Sequence, residues 1–183
     1  MERRIAKFEK VSKEQFCKDM IDAIPQFWKT ELELGNTIEQ SYKKLERIWE
    51  DLQIPKRATT GSAGYDFGCT MNVDLAPGES MKIPTGIRCK FFNDEWLLGL
   101  FPRSGLGFKY REMLANTVGI VDCDYYYSDN EGHIMAKIYN GGKETLKLRE
   151  KENFIQGIFF LYGLAEEEEV TETRNGGFGS TDN

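Results

Sequence analysis

The 183-residue chain has little of what most metal, redox and membrane proteins require. It has one histidine, His133, and four widely spaced cysteines with no C-x-x-C pair, which argues against a zinc site or a disulfide framework. No apolar run approaches the roughly 20 residues that cross a bilayer, and the charged amino-terminal stretch lacks the apolar segment of a signal peptide. We therefore expect free thiols, no membrane interaction and a cytoplasmic protein, in the host cytoplasm if the source is viral.

Positive charge is also scarce. The net charge is −6, so no broad basic surface is available for nucleic acid, and an anionic ligand would need locally gathered cations. The phosphate-binding loop G-x-x-x-x-G-K-[ST] does not occur. What the chain has is enough apolar and aromatic residues for a core, 40% and 13%, and the length of one domain, 1–183.

Residues 12–52 have a helical character. Ser12 with Gln15, and Thr37 with Gln40, have the spacing of a capping box at a helix start. An apolar stripe at helical spacing follows the second start: Ile38, Tyr42, Leu45, Trp49 and Leu52. The pattern predicts a helical hairpin whose stripe is packing surface.

Beyond the helical segment, the chain changes to short apolar runs separated by turn residues. Residues 4–8 could form a first strand, and five later runs read as strands: MKIPTGIRCKF, EWLLGLF, GHIMAKIYN, ETLKL and FIQGIFFLYG. Many short strands predict a mainly β fold, an antiparallel sandwich or roll. An acidic run at 166–169 opens a predicted mobile carboxyl-terminal arm, 166–183.

A first candidate for chemistry is PRSGLG, residues 102–107. Arg103 offers a permanent cation with forked donors, and Ser104 offers a hydroxyl. Gly105 and Gly107 leave backbone N–H groups open to a ligand, which together predicts a phosphate cradle. The alternative is an ordinary glycine-rich turn.

The end of the chain, RNGGFGSTDN, offers a similar set. Arg174, Ser180 and Thr181 could hold phosphate oxygens, and Phe178 could stack on a nucleobase. The alternative is a disordered chain end.

A third candidate is NTVGIVDCDYY, residues 116–126. Asn116 can both donate to and accept from a base edge, and Asp122 follows an apolar run, as a shielded general base would. Tyr125 could lie against a sugar. Asp122 and Asp124, two apart on a strand, would face the same side and could share a metal; alternatively they cap turns.

Five segments occur in the order of the five motifs of the trimeric dUTPase family, which the chain resembles over residues 54–181. They are AGYD (63–66), PRSGLG (102–107), NTVGIVDCDY (116–125), FIQ (154–156) and RNGGFGST (174–181). The resemblance implies a jelly-roll (β-clip) subunit with the helical hairpin inserted, and a homotrimer with active sites at subunit interfaces. It implies hydrolysis of dUTP to dUMP and pyrophosphate with Mg²⁺ held mainly by the triphosphate and waters.

The same resemblance assigns roles to residues. Asp122 would deprotonate the water that attacks the α-phosphorus, Asn116 would read uracil, and Tyr125 would pack under deoxyribose and reject ribose. Ser104 and Gln156 would hold the phosphates.

The remaining assignments are supporting ones. Asp66 would lie near metal-bound water or brace the site, and Arg103 would lie nearby or support the interface. The other implied substrate contacts are Gly105, Gly119, Arg174, Phe178, Gly179, Ser180 and Thr181, with the tail reaching a neighbouring subunit.

Three departures from the family pattern stand out: the 12–52 insertion, a longer hairpin after Tyr125, and one residue fewer between Arg174 and the paired glycines. Two other functions stay open. One is a dCTP deaminase, an enzyme of the same fold, and the other is a dUTPase-like regulator that binds a protein partner through residues 12–52.

Overall fold

The structure is a computed structural model that describes residues 4–24 and 26–166. The strands are β1 (Ala6–Lys10), β2 (Lys56–Arg57), β3 (Tyr65–Gly68), β4 (Val73–Leu75), β5 (Ser80–Pro84), β6 (Ile87–Phe91), β7 (Trp96–Pro102), β8 (Glu112–Leu114), β9 (Gly119–Val121), β10 (Met135–Asn140), β11 (Leu146–Leu148) and β12 (Asn153–Leu161). The helices are α1 (Lys13–Ala23), α2 (Gln26–Glu33), α3 (Ile38–Asp51), α4 (Ser104–Tyr110) and a 3-10 helix, η1 (Cys123–Tyr127).

The largest sheet has the strand order β2-β3-β12-β7-β9, and its pairings are antiparallel. Its centre is β12, whose buried positions are Phe154, Ile155 and Gly157. Gly157 is required there because a Cβ would press on Leu98 and Phe67. Smaller sheets, β1-β6, β5-β10-β8 and β11-β4, complete a jelly roll around one main core. The mainly β prediction is confirmed.

The helical segment differs from the predicted hairpin, since α2 adds a third helix between the two that were predicted. The capping box of Thr37 and Gln40 is present. The apolar stripe packs only in its second half: Leu45 is fully buried, whereas Ile38 and Tyr42 are 60% and 43% exposed. The segment packs its own small core against the β roll, formed by Val11, Phe16, Cys17, Met20, Ile24 and Leu45.

Gly86 lies where this small core meets the roll. The predicted run MKIPTGIRCKF breaks here into β5 and β6, because Gly86 has a left-handed backbone with φ of 74°. A side chain would also collide with Leu52 and Phe16. The position therefore needs glycine for both its conformation and its space.

Two further expectations can be compared with the structure. All four cysteines are free thiols, as predicted, with Cys17, Cys69 and Cys89 buried and Cys123 half-buried. Among the described residues, no helix is both long enough and apolar enough to cross a membrane.

Candidate active site

Three of the predicted motifs meet at one end of the large sheet. Asp66 on β3 lies opposite Gln156 on β12, and Gln156 lies opposite Phe101 on β7, two residues before Arg103. The Arg103 Nε lies 3.1 Å from an Asp66 carboxylate oxygen, and Arg103 Nη1 donates to the Asn153 carbonyl at 3.3 Å. Asp66 therefore forms an ion pair with Arg103 across β12.

Gln156 fixes the first and second motifs relative to each other. Its Nε2 donates to the Pro102 carbonyl at 3.1 Å, directly before Arg103. Its Oε1 lies against Gly64, where a Cβ would collide with it. The glycine of AGYD is thus explained by the close approach of this amide.

The segment after Arg103 is helical rather than a loop. Arg103 takes the N-cap position of α4, which begins at Ser104 and contains both Gly105 and Gly107. A glycine inside a helix costs about 0.5–1 kcal/mol relative to alanine. A Cβ on Gly105 would meet no described atom within 4 Å, so packing within the chain does not require this glycine.

Asn116 lies exposed in the turn between β8 and β9, which belong to different sheets. The turn closes through the Thr117 N–H, which donates to the Leu114 carbonyl at 2.9 Å. Thr117 itself has a φ of 67°, a left-handed conformation that is a genuine outlier for a β-branched residue. Gly119 follows, and its lack of a side chain is explained by packing, because a Cβ would press on Leu100 at 3.1 Å.

Asp122 directly follows β9 and is half-buried. It takes the N-cap position of η1, and its side chain makes no capping hydrogen bond to that helix. The argument that Asp122 and Asp124 share a strand face is wrong, because the chain turns into a 3-10 helix at Cys123. Asp124 is exposed within that helix.

Tyr125 is buried in the main core, 1% exposed in the single chain. Its hydroxyl donates to the His133 carbonyl at 2.8 Å and accepts from the Asn130 amide at 2.9 Å. The ring is therefore part of the packed core rather than a projecting surface.

Two lysines that the sequence analysis did not single out lie beside the turn that contains Asn116. Lys82 on β5 and Lys137 on β10 are directly opposite in the antiparallel ladder, and both line a groove that contains Asn116 and Gly119. Like charges facing each other across strands are unfavourable unless an anion or an acid lies near. Nothing local in the sequence indicates the pair, because its members are distant in the chain.

Asp122, the candidate general base, lies at one end of β7, and the candidate phosphate-binding residues Gln156 and Arg103 lie at the other. Val121 pairs with Leu98, so Asp122 lies level with Leu97. At the rise of a β-strand, Gln156 is then roughly 13 Å and Arg103 roughly 20 Å farther along the sheet. One chain therefore holds the two halves of the predicted site apart.

Part of the predicted site lies outside the described residues: Arg174, Phe178, Gly179, Ser180 and Thr181. Within residues 4–24 and 26–166, no group of three or more histidine, cysteine or acidic side chains is arranged to hold a metal.

Comparison with known proteins identifies the family of the chain. The family model described as dUTPase matches residues 50–182. The deoxyuridine 5'-triphosphate nucleotidohydrolase of Lactococcus lactis is 41% identical over 133 residues, which cover 71% of this chain and 88% of that protein. The corresponding Escherichia coli protein is 34% identical over 140 residues, covering 73% and 89%.

Solved structures show the same fold. The dUTPase from Streptococcus mutans superposes with a TM-score of 0.57 at 36% identity, covering 64% of this chain and 91% of that one. The dUTPase from phage phi11 of Staphylococcus aureus, 20% identical with a TM-score of 0.55, supports the fold alone. Fold and site together define a jelly-roll nucleotide hydrolase. The chain belongs to the dUTPase family, and its helical insertion lies almost wholly before the matched range.

Proposed function

We propose that the chain hydrolyses dUTP to dUMP and pyrophosphate as a homotrimer. The observation that carries this proposal is the placement of the family's residues on one sheet. The paired Arg103 and the Gln156 amide lie at one end, and the half-buried Asp122 lies at the other. The relatives are deoxyuridine 5'-triphosphate nucleotidohydrolases, which supports this substrate and this reaction.

In the proposed reaction, Asp122 accepts a proton from the water that attacks the α-phosphorus. The new bond joins this water oxygen to phosphorus, the bridging oxygen leaves with pyrophosphate, and the proton passes from the carboxylate to solvent. Asn116 binds the uracil edge, and Tyr125 forms the wall under the sugar. Ser104 and Gln156 orient the phosphate chain, so positioning and charge neutralisation supply most of the rate.

The separation along β7 supports a site that is shared between subunits, as in the proposed trimer. Since Asp122 and Arg103 are roughly 20 Å apart in one chain, a single nucleotide can meet both only if they come from different subunits. A closed cyclic assembly gives each subunit both roles. The open space at Gly105 is then occupied by the ligand or by the neighbouring subunit.

We propose Mg²⁺ as the metal. The described residues fit a metal carried mainly by the triphosphate and waters, because they offer no acidic cage and Asp66 is already paired with Arg103. Asp122 and Asp66 are the carboxylates that could accept hydrogen bonds from metal-bound water. When bound, Mg²⁺ neutralises phosphate charge.

Pyrophosphate release from dUTP, dCTP, dTTP and UTP, each with and without Mg²⁺, tests the reaction. We expect Mg²⁺-dependent release that is much faster from dUTP than from dCTP, dTTP or UTP, and no ammonia from dCTP. The variant Asp122→Asn should lose roughly 10²–10⁴ in kcat while still binding dUTP. The exposed Asp129→Asn is the matched control with unchanged activity. Wild-type turnover by Asp122→Asn, or ammonia release from dCTP, would refute the assignment.

Subunit mixing tests the shared site. Asp122→Asn and the double variant Ser104→Ala/Gln156→Ala are each expected to be nearly inactive. On random co-assembly in equal amounts, about three quarters of trimers are mixed and each has one intact site in three, so about a quarter of wild-type activity should return. If the site lies within one chain, the mixture stays at the level of the separate variants.

A further inference from the structure

Two departures from the family pattern, the helical insertion and the long hairpin after Tyr125, contact each other directly. Ser12, at the start of α1, donates to the two carboxylate oxygens of Glu131 through its backbone N–H at 2.7 Å and its hydroxyl at 2.6 Å. Its hydroxyl oxygen also accepts from the Gln15 N–H. Glu131 thus supplies the second half of a capping box that Gln15 leaves incomplete, from 119 residues away in the chain.

A second contact lies deeper. Asp19 on α1 accepts a hydrogen bond at 2.6 Å from Nδ1 of His133, whose ring is fully buried. The other ring nitrogen, Nε2, accepts from the Gly86 N–H at 2.7 Å. Because Nε2 is an acceptor, the ring proton is on Nδ1, and His133 is held as one tautomer between the insertion and the roll. The Asp–His pair has no nitrogen left for a substrate, so its role is to position.

His133 in turn positions Tyr125. Its backbone carbonyl accepts the Tyr125 hydroxyl, and Asn130 of the same loop donates to that hydroxyl. Ser128 closes the loop from the other side by donating to the Tyr125 carbonyl at 2.6 Å. A continuous series of hydrogen bonds therefore runs from α1 to Tyr125, which lies three residues after Asp122, the candidate general base.

The loop itself has little freedom to compensate. Glu131 has a left-handed backbone with φ of 58°, which a non-glycine residue adopts only when its surroundings impose it. Gly132 follows with φ of 70°, and a Cβ there would press on the backbone of Tyr125 and Tyr126. Releasing the insertion should therefore let this loop relax and Tyr125 shift.

We propose that the helical insertion sets the sugar discrimination of the enzyme by bracing Tyr125 through Asp19–His133 and Ser12–Glu131. This inference rests on the proposed function, in which Tyr125 packs under deoxyribose. Asp19, Ser12, Glu131 and His133 are positioning residues, and none of them contacts the nucleotide.

The test compares Asp19→Ala with two controls. Asp19→Asn keeps an oxygen that can accept the His133 proton, and Asp51→Asn removes an exposed ion pair between α3 and Lys151 that does not reach the loop. In Asp19→Ala, the ratio of kcat/KM for dUTP to that for UTP should fall about 3- to 30-fold. It should stay within about threefold of wild type in both controls. Ser12→Ala is a second, milder release of the brace should Asp19→Ala fail to fold.

Hydrogen exchange gives a second readout that needs no catalysis. The amides of Tyr125, Ser128, Glu131 and His133 are bonded within the loop and should exchange faster in Asp19→Ala and Ser12→Ala than in Asp51→Asn. The proposal would be overturned by a variant that is less stable but keeps two wild-type properties. These are the ratio of kcat/KM for dUTP to that for UTP and the hydrogen-exchange rates of the loop amides. Absence of dUTP hydrolysis by the wild type would instead refute the proposed function, and unchanged exchange would then overturn the brace as well.

Discussion

Arg103 and Asp66 form an ion pair of 3.1 Å that joins the second motif to the first across β12. Asp66 is only 14% exposed, whereas Arg103 is 39% exposed and partly screened by solvent. The ion pair therefore stabilises the end of the sheet that carries Arg103 more than an exposed ion pair would.

The first prediction concerns this pair. Asp66→Asn should lower the free energy of unfolding by about 1 kcal/mol, because Arg103 loses its charged partner. The control Asp74→Asn removes the exposed pair with Arg149, of similar length, and should change it by less than about 0.5 kcal/mol. Urea denaturation measures both. Equal effects would show that Asp66 and Asp74 are equivalent surface charges.

The second prediction concerns Thr117, in the turn between β8 and β9. Thr117→Gly should raise the free energy of unfolding by about 1 kcal/mol, because glycine adopts φ of 67° without strain. Thr145 is exposed and has no positive φ, so Thr145→Gly should be neutral or destabilising. Thermal unfolding distinguishes the two variants. A loss of stability in Thr117→Gly would mean that the threonine side chain holds the turn.

The third prediction concerns a buried acid. Glu112 is 2% exposed, and neither carboxylate oxygen has a hydrogen-bond partner among the described residues. Burial raises the pKa of Glu112 from 4.5 to about 8, and the positive charge of Arg103 lowers this pKa only in part. The folded chain therefore binds a proton that the unfolded chain releases, and stability should fall as pH rises from about 4.5 to about 8.

Glu112→Gln removes this titration while keeping the shape. We expect the melting temperature of wild type to fall relative to that of the variant between pH 5 and pH 8, by about 2–4 °C for each kcal/mol. The exposed Glu144→Gln should run parallel to wild type. Parallel profiles for Glu112→Gln would show that the acid is ionised in the folded protein.

The fourth prediction concerns the thiols. Burial raises the pKa of Cys17 and Cys69 to about 11 and that of Cys89 to about 12, so these three hold almost no thiolate at pH 8. Iodoacetamide should modify Cys123 first in the native protein and all four thiols in denaturant. Mass spectrometry reads the sites, and Cys123→Ser should remove the native signal. Rapid native labelling of Cys89 would contradict the packed core.

The sequence predicted those parts of the fold that depend on local pattern. Short apolar runs bounded by turn residues were enough for β7 and β12, and the Thr37–Gln40 spacing marked the start of α3. They were not enough for α4, because Gly105 and Gly107 are poor helix formers and indicate a loop. The short segment of α2 carries no complete capping pattern and was missed.

The sequence analysis selected the candidate site residues but did not predict how they are arranged on the sheet. The order of motifs selected Asp66, Arg103 and Gln156, yet only strand register shows that they meet at one end of the sheet while Asp122 lies near the other. The contacts of the insertion were out of reach, because Asp19 and His133 are 114 residues apart and neither has a local signature. Long-range pairing, rather than residue type, carries this information.

The spacing along β7 has a further consequence for the proposed trimer. If each site is shared between subunits, as we propose from the separation of Asp122 and Arg103 along one sheet, dilution below the dissociation constant of the trimer would reduce the activity per chain rather than merely the total rate. A nucleotide that spans two subunits would oppose this dissociation, so bound substrate would keep the trimer assembled when the protein is dilute.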